Sequence, residues 1–295
     1  MAALSDAAEA VAKDAQAGRS PDASLSAAFD LSAPKRGGAA VDLSETGTAD
    51  TGGLAKTEGL RRTAKDAEKL DELQQRLYAD GKRSVLIILQ GMDTSGKDGT
   101  IRHVFSAMTP QGVEVHSFKK PTPEEAKHGF LWRIRKALPG KGKIGVFNRS
   151  HYEDILVPTV YETLPVEEIE KRYGSINAFE KKLSERGVVV LKFFLHISKD
   201  EQKERLQERL DDPDKRWKFS PEDLKSREHW DELQAAYEKV LERTSTPWAP
   251  WHIIPADKKW YRNYLVGRIL RETLEKMALR YPQPDFDPKK IKIPD

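Results

Sequence analysis

Residues 85–97 read VLIILQGMDTSGK, an apolar run that leads into a loop with a glycine near each end. A continuous apolar run of this length is typical of a strand that is buried on both faces of a sheet. Gly91 and Gly96 bracket four residues and Lys97 follows, which matches the GxxxxGK pattern of phosphate-binding loops. Such glycines let the backbone turn so that its N–H groups face an anion at the start of the next helix. The stretch therefore predicts a P-loop, and an ordinary glycine-rich turn is the alternative.

Apolar runs and segments of helical periodicity alternate on both sides of this loop. The expected strands are residues 85–90, 113–118, 144–148, 188–197 and 251–255. The expected helices are residues 57–80, 97–108, 123–137, 165–186, 199–210, 221–243 and 258–281. This alternation predicts an α/β fold in which helices flank both faces of a five-stranded parallel sheet. Ligands of such sheets bind at the carboxyl ends of the strands, which is where the loop begins.

The composition excludes several classes of protein. The 295 residues include no cysteine, which excludes disulfides, thiolate metal sites and a cysteine nucleophile. A net charge of +3 from 50 basic and 47 acidic residues is too balanced for a general nucleic-acid binder, so no nucleic acid is expected as a partner. The apolar runs are far shorter than the ~20 residues of a membrane span. With no leader or transit pattern at the N-terminus, we expect a cytoplasmic protein without a membrane partner.

The chain divides into a tail and one folded domain. Residues 1–55 are rich in Ala, Asp, Ser, Gly and Thr and contain few large apolar side chains. Such a segment cannot bury enough apolar surface to offset the entropy of ordering. We therefore expect a disordered low-complexity tail over residues 1–55 and a P-loop domain over residues 56–295.

Two acidic residues distinguish this loop from the loops of ordinary nucleotide hydrolases. Asp98 follows Lys97, at the position of the Ser or Thr whose hydroxyl usually binds magnesium. Asp93 lies inside the loop, where an anion beside phosphates is useful mainly with a bridging Mg²⁺ or as a group that orients the attacking atom. The sequence therefore predicts that acidic side chains hold the metal, while a turn-stabilising Asp93 remains the alternative.

A second cluster of polar residues follows the strand at residues 144–148, which we expect to pair with the first strand. Asn148 and Arg149 would emerge beside Lys97, and a guanidinium there can neutralise charge on a phosphoryl group in transfer. Glu153 and Asp154 come about one turn later, and either could complete the metal shell. Ordinary charge on a helix surface is the alternative for this acidic pair.

A basic segment at about residues 200–228 has the composition of a lid. Arg205 and Arg209 are four residues apart and so share one helix face. Lys215 and Lys218 follow the helix break at Pro213. A movable lid of this kind folds cations over phosphates and excludes water, whereas a solvated charged helix is the alternative. Lys119 and Lys120 follow the second expected strand and could extend the positive channel.

Five stretches together resemble the polyphosphate kinase 2 family. They are GMDTSGKDGT (residues 91–100), FNRSHYEDILV (147–157), LKFFLHISKD (191–200), RLDDPDKRWKF (209–219) and PADKKWYRN (255–263). The resemblance covers residues 56–284 and is far more specific than the loop pattern alone. It leaves residues 1–55 outside.

The resemblance implies a cytoplasmic bacterial enzyme with a thymidylate-kinase-like P-loop kinase fold and a helical lid. It implies Mg²⁺ as the cofactor, with Mn²⁺ as an alternative ion. The donor would be inorganic polyphosphate and the acceptor ADP or AMP, which would form ATP or ADP. The motifs are most similar to those of the class III members, which accept both nucleotides. A homo-oligomer, either a dimer or a tetramer, is expected as well.

The expected site residues form three groups. The catalytic residues are Asp93, Lys97, Arg149, Arg205 and Arg209. The phosphate-binding residues are Gly91, Met92, Thr94, Ser95, Gly96, Asp98, Gly99, Lys119, Lys120, Asn148, Lys215 and Lys218. The metal ligands are Asp93 with Glu153 or Asp154.

Two other functions remain open from the sequence. An ATP-dependent kinase of a nucleotide or small metabolite could use the same loop for ATP. A non-catalytic module that binds polyanions through the basic segment would bind with a steep salt dependence but without turnover. The second alternative leaves Asp93 unexplained.

Overall fold

The structure, a computed structural model, describes residues 41–294. Its helices are α1 (Lys56–Asp80), α2 (Lys97–Phe105), α3 (Trp132–Lys136), α4 (Glu153–Val160), α5 (Val166–Glu185), α6 (Lys199–Asp211), α7 (Pro221–Glu228), α8 (Trp230–Thr244) and α9 (Lys259–Lys276). Its strands are β1 (Ser84–Gln90), β2 (Val113–Ser117), β3 (Ile144–Asn148), β4 (Val188–His196) and β5 (Trp251–Pro255). Within residues 41–294, none of the helices combines the length and the apolarity needed to cross a bilayer.

The five strands form one parallel sheet in the order β2-β3-β1-β4-β5. Strand β1 lies at the centre, and all seven of its residues are buried. Its register with β3 pairs Leu89 with Asn148, so the two strands end side by side. The predicted α/β fold with a five-stranded parallel sheet is confirmed, and the two polar segments that follow β1 and β3 meet at one end of the sheet.

Apolar side chains of β1 alternate between two cores. Leu86 and Ile88 enter the core that α4, α5 and α8 cover. Ile87 and Leu89 enter the other core, beneath α1, α2 and α9. Full burial of a large apolar side chain contributes ~1.5–3 kcal/mol, so β1 is fixed firmly from both faces. The loop after β1 therefore starts from a rigid support.

Three helical segments differ from the expectation. Residues 123–137 form a 3₁₀ turn and the short α3 because His128 is extended, with φ −111° and ψ 163°. Residues 221–243 form two helices, α7 and α8, which meet at His229. Helix α4 was not predicted, and it contains Pro158, a residue that argues against a helix when only the sequence is read.

The segment before α1 packs against the domain. Leu43 is only 2% exposed and belongs to the core beneath α8. The Leu43 carbonyl oxygen lies 3.0 Å from His196 Nε2, at the end of β4. Thr48 Oγ1 donates to Asp257 Oδ2 at 2.6 Å, just after β5. Both contacts lie at the same end of the sheet as the P-loop.

The expectation of a disordered tail is therefore wrong for residues 41–55. The composition of residues 1–55 as a whole shows too few apolar residues to form a core. Val41 and Leu43 do not need to form one, because they pack into the core of the domain. Residues 1–40, the remainder of the expected tail, lie outside the described residues.

Leu43→Ala tests this packing. Removal of a buried leucine side chain costs about 2–4 kcal/mol of unfolding free energy when the site cannot collapse. Leu60→Ala is the matched control, because Leu60 is 49% exposed on α1 and its loss should cost little. Urea denaturation measures both variants. Equal stability of Leu43→Ala and wild type would contradict the packing of this segment against the domain.

Candidate active site

A cleft of about 790 Å³ opens at the carboxyl ends of β1, β2 and β3. The predicted site residues that line it are Asp93, Thr94, Gly96, Lys97, Asp98, Gly99, Lys119, Asn148, Arg149, Arg205, Arg209, Lys215 and Lys218. The predicted residues outside its lining are Gly91, Met92, Ser95, Lys120, Glu153 and Asp154. Residues from the loop, the end of β3 and the basic segment thus share one cleft.

The loop after β1 has a backbone that requires glycine. Gly91 has φ 148°, and a Cβ there would lie 2.6 Å from the Leu195 carbonyl oxygen. Gly96 has φ 102° and immediately precedes α2. The N–H groups in the first turn of α2 have no helical acceptor, so they are available to an anion in the cleft. Loop geometry and helix position are both those of a phosphate-binding loop.

Lys97 is folded onto its own loop. Its Nζ donates to the carbonyl oxygens of Gly91 at 2.7 Å and Met92 at 3.1 Å, and the residue is 9% exposed. Burial, together with the nearby charge of Arg149, lowers the pKa of Lys97 to about 8. A phosphate in the cleft would offer this ammonium a full negative charge in place of two neutral carbonyls.

Arg149 reaches across the end of the sheet to the loop. Its guanidinium donates to Asp93 Oδ1 at 2.9 Å. The backbone of Arg149 is left-handed, with φ 62°, and its N–H donates to the Leu89 carbonyl at 3.0 Å. Non-glycine residues adopt this conformation rarely and at a cost, which the surrounding structure must hold in place. The sharp turn after β3 thus directs the guanidinium towards the P-loop.

Glu153 completes a charged group around the loop. Its Oε1 accepts from Gln90 Nε2 at 3.1 Å. Its negative charge acts on both Lys97 and Arg149 and favours their charged forms. Glu153 begins α4, so the turn after β3 brings it next to β1.

Asp154 lies in a different environment. Its Oδ2 is 3.5 Å from the guanidinium of Arg133, and its Oδ1 is 3.9 Å from that of Arg172. Burial raises the pKa of Asp154, and the two guanidiniums offset this only in part. The side chain therefore serves an ion-pair network beside α3 and α5, and this geometry argues against the expectation of Asp154 as a metal ligand.

Asp93 and Glu153, the remaining predicted metal ligands, are suited to a magnesium ion that is shared with substrate phosphates. Mg²⁺ is usually bound by one or two carboxylates together with substrate phosphates and waters, rather than by a cage of protein ligands. Asp93 lines the cleft, and Glu153 lies outside its lining but contacts Gln90 and acts on Lys97 and Arg149, so these two carboxylates are the candidates. Within residues 41–294, no cluster of three or more His, Cys, Asp or Glu side chains is placed to hold a metal on its own.

Asp98 and Asn148 form a direct contact between α2 and β3. Asn148 Nδ2 donates to Asp98 Oδ1 at 2.6 Å. Both are predicted phosphate-binding residues. The contact gives them a further role, because it joins the start of α2 to the end of β3.

The Arg205 side chain joins α6 to neighbouring backbone segments and does not extend as a free cation of the lid. The side chain is buried, and it donates to the carbonyl oxygens of Thr94 at 2.9 Å and of Ala256 and Asp257 at 2.8 Å each. It also pairs with Glu201 at 2.7 Å. The predicted role as a mobile lid cation does not fit these contacts, because the guanidinium already joins α6, the P-loop and the end of β5.

Arg209 and the two lysines beyond α6 are better placed to meet a ligand. Arg209 donates to Asp223 Oδ2 at 3.1 Å and to the Lys218 carbonyl at 3.0 Å, and it lines the cleft. Lys215 pairs with Glu208 at 2.6 Å. The Lys218 Nζ lies 5.1 Å from the ring centre of Trp217, which is 78% exposed. The segment from α6 to α7 thus presents cations to the cleft.

Sequence reasoning missed two residues that hold the loop. Gln202 Nε2 donates to the Asp93 carbonyl at 3.1 Å. Arg262, at the start of α9, donates to the Ser95 carbonyl at 3.1 Å. Burial, followed by the charge of Arg205, lowers the pKa of Arg262 to about 9. The position of Arg262 shortly after the last strand was the available signal, because the carboxyl ends of parallel strands lie at one edge of the sheet.

Comparison with known proteins agrees with this geometry. The family described as Polyphosphate kinase 2 (PPK2) matches residues 53–282. An AMP/ADP-polyphosphate phosphotransferase of Meiothermus ruber is 51% identical over 252 residues, which cover 85% of this chain and 93% of that protein. An ADP-polyphosphate phosphotransferase of Rhodopseudomonas palustris is 46% identical over 228 residues, which cover 73% of this chain and 79% of that protein.

Solved structures give the same result. The crystal structure of Polyphosphate Kinase 2 from Arthrobacter aurescens TC1 superposes with a TM-score of 0.85 at 43% identity, and the match covers 90% of this chain and 93% of that one. The family match spans more than half of the chain and includes the P-loop, the end of β3 and the basic segment. The chain belongs to the polyphosphate kinase 2 family.

Proposed function

We propose that this protein is a polyphosphate-dependent nucleotide kinase, which transfers the terminal phosphoryl group of inorganic polyphosphate to ADP or AMP. The observation that carries the proposal is the contact of Arg149 with Asp93 at 2.9 Å across a P-loop that also holds Lys97. The names of the two curated relatives support the donor, and one of them supports both acceptors.

The transfer needs no nucleophilic side chain. The acceptor oxygen of a nucleotide phosphate is already anionic and bonds to the terminal phosphorus of polyphosphate, while the in-line bond from that phosphorus to the bridging oxygen breaks and polyphosphate shortened by one unit leaves as an anion. Catalysis then consists of positioning and of neutralising charge on the transferring group. Lys97 and Arg149 supply positive charge, and the first turn of α2 supplies N–H donors. Loss of either cation should lower the rate by about 10²–10³-fold.

Asp93 and Glu153 are the residues that would hold a divalent cation, with Mg²⁺ as the expected ion and Mn²⁺ as the alternative. Their carboxylates suit an ion that is shared with substrate phosphates. When bound, the ion offsets the negative charge of the phosphates in the cleft. Arg149 keeps Asp93 oriented towards the cleft through their ion pair.

The segment of residues 200–228 acts as the lid. Arg205 anchors its first helix to the P-loop through the Thr94 carbonyl. Arg209, Lys215 and Lys218 lie beyond that anchor and line the same cleft as Lys119, so that these four cations would contact the phosphate chain. Closure of this segment excludes water, which would otherwise accept the phosphoryl group. The homo-oligomer and the cytoplasmic location stay predictions.

The donor claim is tested by incubating the protein with ADP, Mg²⁺ and polyphosphate and following ATP with luciferase. We expect ATP to form in proportion to the protein and to vanish when the polyphosphate is first hydrolysed by an exopolyphosphatase. Lys97→Ala is the matched control and should lose about 10²–10³-fold of the rate. An absence of ATP formation, combined with transfer from ATP to another acceptor, would support the ATP-dependent kinase instead.

The metal assignment is tested with Asp93→Asn and Asp154→Asn. Asp93→Asn should raise the Mg²⁺ concentration for half-maximal activity by about tenfold or more, because a ligand is lost. Asp154→Asn should leave that concentration unchanged and instead lower the melting temperature, because Arg133 and Arg172 lose their carboxylate. The reverse pattern, with the Mg²⁺ dependence shifted only by Asp154→Asn, would refute the assignment.

A further inference from the structure

Arg262 lies directly behind the P-loop. It belongs to the first turn of α9, and the residue is 2% exposed. Its guanidinium donates to the Ser95 carbonyl at 3.1 Å and to Asn263 Oδ1 at 2.9 Å. All of these acceptors are neutral. Arg262 is absent from the lining of the cleft, so it acts on the cleft through the loop rather than by touching a ligand.

The loop and this guanidinium are in close contact. A Cβ added to Gly96 would lie 1.7 Å from the Arg262 Nη1, and one added to Gly99 would lie 3.1 Å from its Nη2. These glycines flank the start of α2, whose first residues line the cleft. The charge of Arg262 therefore lies just beneath the backbone that would bind phosphate.

Arg262 differs from other buried arginines in its lack of an anionic partner. No carboxylate among residues 41–294 forms an ion pair with it, and the one charge that acts on it strongly is the cation Arg205. Arg268 lies on the same helix, is 7% exposed, and pairs with Asp66 at 2.9 Å. Burial of a charge without a partner costs several kcal/mol, and an apolar residue of similar volume would avoid this cost. A stability argument alone thus explains Arg268 but not Arg262.

We propose that Arg262 is a positioning residue for polyphosphate, which supplies a fixed positive charge beneath the P-loop whose compensating anion is the bound phosphate chain. This inference rests on the proposed function for the identity of the anion. It follows that the charge of Arg262 lowers the stability of the free protein and raises its affinity for polyphosphate.

Arg262→Met separates these two effects, because methionine is unbranched and apolar. We expect the melting temperature of the free protein to stay equal or rise, because a buried charge without a partner is lost. We expect the KM for polyphosphate to rise by about tenfold, because a charge buried beneath the loop acts on the phosphate chain through a low dielectric. The rise in melting temperature on adding tripolyphosphate should shrink in parallel. Arg262→Lys keeps the charge and should recover most of the affinity for polyphosphate.

Arg268→Met is the matched control on the same helix. It should lower the melting temperature, because Asp66 loses a buried partner, and should leave the KM for polyphosphate unchanged. A KM of Arg262→Met equal to that of wild type would overturn the proposal, and so would an equal tripolyphosphate-induced shift. If wild type makes no ATP from polyphosphate, the proposed function fails, while the tripolyphosphate shift still decides the role of Arg262 separately.

Discussion

Two buried cations contact the backbone of the P-loop, and within residues 41–294 neither donates a hydrogen bond to a carboxylate. Lys97 is held by the carbonyls of Gly91 and Met92, and Arg262 by the carbonyl of Ser95. Positive charge removed from water is costly unless an anion compensates it. The shape of the loop, with its required glycines, brings both cations and the first turn of α2 around one point. Phosphate, with its negative charge, is a ligand that suits this arrangement.

The loop is also the junction of the elements that surround it. Arg205 joins it to α6 and to the end of β5, Asn148 joins α2 to β3 through Asp98, and Arg149 pairs with Asp93. Arg205 and Gln202 of α6 both donate to backbone carbonyls of the loop, so the basic segment from α6 to α7 begins at a direct contact with the loop. Residues 41–55 brace the same end of the sheet through His196 and Asp257. Residues that are distant from one another in the sequence therefore jointly position the P-loop.

The fold and the centre of the site were predictable because local patterns determine them. The apolar run of β1 and the glycines of the loop predict a buried strand and an anion-binding turn without any tertiary information. The roles of Asp154 and Arg205 were not predictable, because their partners Arg133 and the Thr94 carbonyl are remote in sequence. Composition likewise could not show that the apolar residues among 41–55 enter a core formed by other segments. Side-chain type indicates chemistry, but tertiary contacts decide which charges remain available.

The most direct measurement counts the protons taken up when polyphosphate binds. Burial and the charge of Arg149 lower the pKa of Lys97 to about 8, so part of these amines is neutral at pH 8 before binding. A phosphate chain favours the ammonium and raises this pKa, which couples binding at pH 8 to proton uptake. Calorimetric titration in buffers of different ionisation enthalpy should show net proton uptake at pH 8 that is smaller at pH 6 and absent in Lys97→Ala. Tight binding without proton uptake in the wild-type protein would contradict the claim that the bound phosphate chain compensates the charge of Lys97.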